Sequence, residues 1–168
     1  ALTPEYLEKT ERGLASGALW FSEYGLQLSR GFRALKIWMM IKEHGAQKFG
    51  RLIDQGIAQA QYLTGPIAHQ PLLEQMAPTA IDIVCFRFNP GGRDEAALRA
   101  LNTEIMLRMQ ETGVAAVSDT TVKGRHCLRV AICNHRTRRT DLDLLVQEVL
   151  RIGRDLEATP IAAASGSR

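Results

Sequence analysis

Residues 125–134 read RHCLRVAICN, and this stretch decides the fold. Strand side chains alternate between the two faces of a sheet. One face here carries Leu128, Val130 and Ile132, and the other carries Cys127, Arg129, Ala131 and Cys133. Both are largely apolar, whereas a sheet with one wet face alternates more cleanly. IDIVCFRF, residues 81–88, behaves alike: Ile81, Ile83 and Cys85 on one side, Val84, Phe86 and Phe88 on the other. The expected sheet therefore has two faces to cover.

Working outward, VAAVSDTTVKG (114–124) supplies a second strand, joined to the first by a hairpin at Lys123-Gly124. Two amphipathic helices flank these strands. One opens at Asp94, repeats Leu98, Leu101, Ile105 and Met109, and ends at Gly113. The other follows Thr140-Asp141-Leu142-Asp143, which resembles a capping box, and repeats Leu142, Leu145, Val149, Ile152 and Leu156. These two helices cover one face, so the second face needs another part of the chain or a partner.

Further upstream, PLLEQM (71–76) reads as a short helical turn started by Pro71. RGFRALKIWMMIKEHG (30–45) reads as a helix apolar over most of its circumference, hence buried on several sides, with Gly45 as its cap. AQKFGRLIDQGIAQAQYL (46–63) reads as a second helix ending at Thr64-Gly65-Pro66. The opening residues are expected to be irregular. The fold class is α+β: a small antiparallel sheet with helices on one face, preceded by two long helices. The expected organisation is 1–66 for the opening segment and the two long helices, 67–157 for the α+β domain, and 158–168 for a flexible tail.

Composition narrows the function. The chain has 168 residues, 45% of them apolar and 23% charged, with 21 basic against 18 acidic residues and a net charge of +3. This is ordinary globular composition. The charge is too small to imply a nucleic-acid partner, and the Arg136, Arg138, Arg139 cluster reads as a solvated loop. No apolar run is long enough for a membrane span. Three cysteines, Cys85, Cys127 and Cys133, read as buried small hydrophobes in a reducing, cytoplasmic protein. The chain opens on Ala1, which reads as the start of a processed or truncated product.

Arg129 is the residue with chemistry. A guanidinium stays protonated and is costly to bury unpaired, so it needs an anion. An acid of the same fold is one possible partner. A ligand carboxylate held in a two-pronged fork is the other.

Three motifs in order, LSRGFRALKIWMMIKEHGAQKFGRLI (28–53), IVCFRFN (83–89) and RHCLRVAICN (125–134), resemble the C-terminal part of the group II pyridoxal-phosphate-dependent amino-acid decarboxylases. The resemblance runs from about Leu2 to about Glu157. It implies the small domain of a type I fold, whose bare sheet face packs on an upstream large domain, and an enzyme that is a homodimer. It implies a parent that converts an L-amino acid to an amine and carbon dioxide, leaning toward aromatic substrates, with the cofactor as electron sink. It carries the role of binding the substrate α-carboxylate to Arg129. It matches Arg30 and Arg33 to a basic motif at the helix start, with Gly31 where many relatives have arginine. It assigns no catalytic role to His126 or Cys127.

The family's cofactor lysine follows a histidine, and none of Lys9, Lys36, Lys42, Lys48 and Lys123 does. The expectation is therefore a C-terminal fragment, with no catalytic or cofactor-binding residue, no pyridoxal 5'-phosphate bound and no activity alone. The alternative is an autonomous small-molecule-binding or interaction module.

Overall fold

Helices and sheet share one core from Ala46 onward, in a computed structural model that describes residues 31–158. The expectations for the opening segment and the tail lie outside the described residues. The chain divides into two compact units between Gly45 and Ala46.

The first unit holds α1, Arg33–His44. Gly45 ends it at φ +75°, donating its amide to the Ile41 carbonyl, as its capping role required. The expected burial on several sides is not found: no residue of α1 is buried, and Phe32, Ile37 and Trp38 are 73%, 63% and 58% exposed. The apolar faces of this helix have no cover among the described residues.

The second unit begins with α2, Ala46–His69, which continues through Thr64-Gly65-Pro66 instead of stopping there. Leu63 and Ile67, one turn apart, are both fully buried, and their packing holds the last turn in place past the proline. The Thr64 hydroxyl also donates to the Ala60 carbonyl. These contacts put α2 in the same core as the sheet, although the sequence grouped it with the preceding helix.

Four strands follow the order β1-β2-β4-β3, every neighbouring pair antiparallel. They are β1 Leu73–Gln75, β2 Ile83–Phe88, β3 Ser118–Val122 and β4 Arg125–Ala131. The strand β1 replaces the expected helical turn. It adds to the sheet edge by pairing Leu73, Glu74 and Gln75 with Phe88, Arg87 and Phe86. Lys123 and Gly124 sit at φ +50° and +78°, both left-handed, as a two-residue hairpin turn with the strands' own twist requires.

Helix α3, Glu95–Glu111, starts where Asp94 accepts the Ala97 amide at 2.8 Å. Helix α4, Arg139–Ala158, starts earlier than expected. Asp141 accepts the Arg138 amide at 2.8 Å, so it forms the back half of a capping box whose first residue is Arg138, not Thr140.

Val84, Phe86 and Phe88 of β2 and Leu128 and Val130 of β4 pack with the buried stripes of α2, α3 and α4 in one cluster. Asn102 of α3 is fully buried, and its side chain both accepts from the Phe88 amide and donates to the Phe88 carbonyl. It thereby finishes the ladder where β2 leaves the sheet. The α+β class is as expected, with all helices of this unit on one face.

Candidate functional site

The sheet's other face carries the chemistry. Directly opposed residues of an antiparallel pair share a face. Arg129 on the inner strand β4 is opposed by Cys85 on β2 and by Ser118 on β3. These three form one row across the sheet. The next row toward one end is Ile83 and Ala131. The next row toward the other end is Glu74 and Arg87, continued by Cys127 and Thr120.

Burial separates the two ends. Ile83, Cys85 and Arg129 are half-buried, and Ala131, Ser118 and Cys133 are exposed. Arg87 is only 1% exposed. Its Nε donates to Glu74 at 2.8 Å, and its Nη1 donates to both Glu95 oxygens at 3.0 and 2.8 Å. Arg125 pairs with the same two carboxylates, and Asn89 donates to Glu74 at 2.8 Å. The quartet of two arginines and two glutamates is neutral and satisfied.

Burial pushes the Glu74 carboxyl up, but bonds from Asn89, Arg87 and Arg125 prevail and hold it below the usual range. The Arg87 bonds lower Glu95 in the same way, with Arg125 adding to them.

Arg129 stands in contrast. Its carbonyl accepts a 3.4 Å bond from the Ser118 hydroxyl, but its guanidinium has no acid partner among the described residues. Of the two destinations open to this side chain, an acid of the same fold is not found there. A guanidinium has the planar donor geometry that can engage a carboxylate through two parallel N–H bonds, and this one is half-open to solvent and flanked by small neutral residues.

The cysteines differ from one another. Cys127 is buried, and burial together with the neighbouring Cys85 thiol pushes it up to about 11, so it is an inert thiol at neutral pH. Cys85 is half-buried, and Cys133 is exposed where the sequence reading buried it. The last two lie on or beside this face, at its less buried end. His126 is buried on the helix side, bonded through Nε2 to Asp119 at 3.0 Å, and plays no part in this face. No group of three metal-ligating side chains occurs among the described residues.

Sequence reasoning missed Arg87 as a buried ion and Ser118 as a neighbour of Arg129. The signal for Ser118 was present. Pairing Val122 with Arg125 across the two-residue turn and counting back sets Ser118 against Arg129.

A family model of the pyridoxal-dependent decarboxylase conserved domain matches residues 1–89, more than half of the chain. The chain belongs to the pyridoxal-dependent decarboxylase family. It is similar to the aromatic-L-amino-acid decarboxylase of Bacillus atrophaeus, 27% identical over 92% of this chain and 32% of the relative. The structure of mouse CSAD in apo form matches with a TM-score of 0.72 at 26% identity, over 80% of this chain and 30% of that one. Oryza sativa TDC with PLP and tryptamine matches with a TM-score of 0.69 at 25% identity, over 78% and 28%. The chain spans about a third or less of the length of these relatives.

Lys36, Lys42, Lys48 and Lys123 are all exposed, three on α1 and α2 and one in the hairpin turn. Among the strand residues that share the face of Arg129 there is no lysine and no aspartate. No described helix is long and apolar enough to cross a membrane.

Proposed function

We propose that this chain is the C-terminal part of an amino-acid α-decarboxylase that acts on aromatic L-amino acids, with Arg129 binding the substrate α-carboxylate. The observation that carries the reading is the uncommitted guanidinium of Arg129 on the open sheet face. Family membership and similarity to an aromatic-L-amino-acid decarboxylase support it. Because Glu74 and Glu95 neutralise Arg87 and Arg125, Arg129 is the one strand arginine of this face without an acid partner among the described residues, which suits a substrate with a single carboxylate.

The rest of the enzyme covers this face and supplies the lysine and phosphate seat of pyridoxal phosphate. The chain alone binds no cofactor and is inactive, and the whole enzyme is a homodimer. The unpaired cysteines fit a cytoplasmic location.

Arg129 acts chiefly in binding. The carboxylate it holds leaves as neutral carbon dioxide, so its ionic contact weakens as the reaction proceeds. Such a contact lowers KM more than it raises kcat.

Pyridoxal phosphate added to the purified chain, trapped by borohydride and mapped by mass spectrometry, tests the division of labour. Scattered, substoichiometric lysine labelling is expected. One lysine labelled stoichiometrically would overturn it. Mixing the chain with the missing upstream part, and measuring carbon dioxide from aromatic amino acids, tests whether the two parts make one enzyme.

A further inference from the structure

We infer that Ser118 is a second carboxylate-binding residue of the Arg129 site. The inference rests on the decarboxylase reading above and deepens it. Ser118 is the direct cross-strand partner of Arg129 on the edge strand β3, so the two side chains leave the same face about 5 Å apart at Cβ. It is exposed, and the one hydrogen bond of its hydroxyl is a long 3.4 Å contact to the Arg129 carbonyl. A bond of that length is weak, and a hydroxyl rotates freely toward a stronger acceptor.

A carboxylate held by the Arg129 fork keeps lone pairs beyond the two that the guanidinium engages. Something beside the fork must fill one of them. On the β2 side the neighbour is Cys85, whose thiol is a weak donor. On the β3 side it is Ser118, whose hydroxyl donates well to an anion. Thr120, one row further along β3, stands opposite the buried Cys127 and not opposite Arg129. The two contacts together fix the carboxylate in direction as well as position, which a lone guanidinium at a half-open site does less well.

The test uses the whole decarboxylase that includes this chain, with Ser118→Ala, Ser118→Thr and Ser118→Val. Steady-state KM and kcat are measured for the aromatic amino acid. Inhibition constants are measured for a 3-arylpropionate, which keeps the carboxylate, and for the product amine, which lacks it. Ala and Val are expected to raise KM and the arylpropionate constant about tenfold, the effect of one lost hydrogen bond to a charged group. The amine constant and kcat stay as in the parent, and Thr restores the parent values.

Val is the decisive variant. It is as good a strand former as Thr and lacks only the hydroxyl, so a purely structural role would spare it. Unchanged KM in Ala, parent-like binding in Val, or an equal rise for the amine would overturn the assignment. A wild-type enzyme that decarboxylates no amino acid would instead remove the reading on which the assignment rests, and the assignment with it.

Discussion

Cys85 and Arg129 oppose each other across the β2–β4 ladder, and no carboxylate among the described residues meets the guanidinium. Arg87, two residues along β2 from Cys85, is fully enclosed and bound to Glu74 and Glu95. Two arginines on one sheet face thus have opposite states. The buried one is satisfied internally, as a buried charge must be, and the half-open one has no acid partner among the described residues.

The quartet makes stability depend on pH. Glu74 and Glu95 have folded-state pKa values below those of the unfolded chain. The unfolded chain therefore binds more protons in that window, and stability rises with pH through it. The contribution is fully present above the ordinary carboxylate value of about 4.3 and is lost as pH falls through the depressed values. Denaturant unfolding at pH 7 and at pH 3 should show the loss, and Glu74→Gln combined with Glu95→Gln should flatten it. An unchanged slope in the double variant would contradict the assignment.

Gly153→Ala should destabilise the fold although alanine is the better helix former. A Cβ there would lie 2.7 Å from the Phe88 ring, which is enclosed at the α4–β2 contact. The helix-propensity gain of about 1 kcal/mol is outweighed by overpacking of about 1–3 kcal/mol. Thermal unfolding reads the sign directly, and a higher midpoint in the variant would contradict the packing described.

Ile81→Gly should act in the opposite sense. Ile81 lies at φ +53° in the two-residue turn between Ala80 and Ile83, with its side chain exposed. A β-branched residue is strained there, and glycine relieves about 1 kcal/mol. Urea unfolding should show a higher midpoint with the same slope. A lower midpoint would mean that the side chain makes a contact on which the fold depends.

The purified chain should self-associate. Ile37, Trp38 and Met39 of α1 are more than half exposed, and Ile83, Cys85 and Ala131 lie on the open sheet face. Patches of several hundred Å² are rare on monomers. Sedimentation velocity should show a concentration-dependent dimer. A strictly monomeric species at high concentration would contradict the exposure of these surfaces.

Much of this was legible in the residues because it is local. Leu98, Leu101, Ile105 and Met109 repeat at helical spacing and are all buried, as are Leu142, Leu145, Val149, Ile152 and Leu156. Lys123-Gly124 marks its own turn, and the two-faced pattern of Val84, Cys85 and Phe86 separates the packed from the open side.

What escaped was nonlocal. Strand β1 is three residues long, too short for periodicity, and exists through its pairing with β2. Pro66 stays inside α2 because Ile67 is buried against elements far along the chain. Arg87 was not singled out, and its partners are 13 and 8 residues away. Arg129 stood out in the sequence as a charge in an apolar strand, but which acids of the fold lie near it required the neighbours' positions.

Carbon dioxide released from a carboxyl-labelled aromatic amino acid by the whole enzyme, with Arg129 intact and with Arg129→Gln, tests whether this guanidinium holds the substrate's carboxylate. Release by the parent is expected, and in the variant a KM raised about a hundredfold, since a bidentate charged contact has been lost. The fold should be unperturbed, because no described residue depends on that guanidinium. Equal KM in the two proteins would contradict the claim that this arginine receives the substrate's carboxylate.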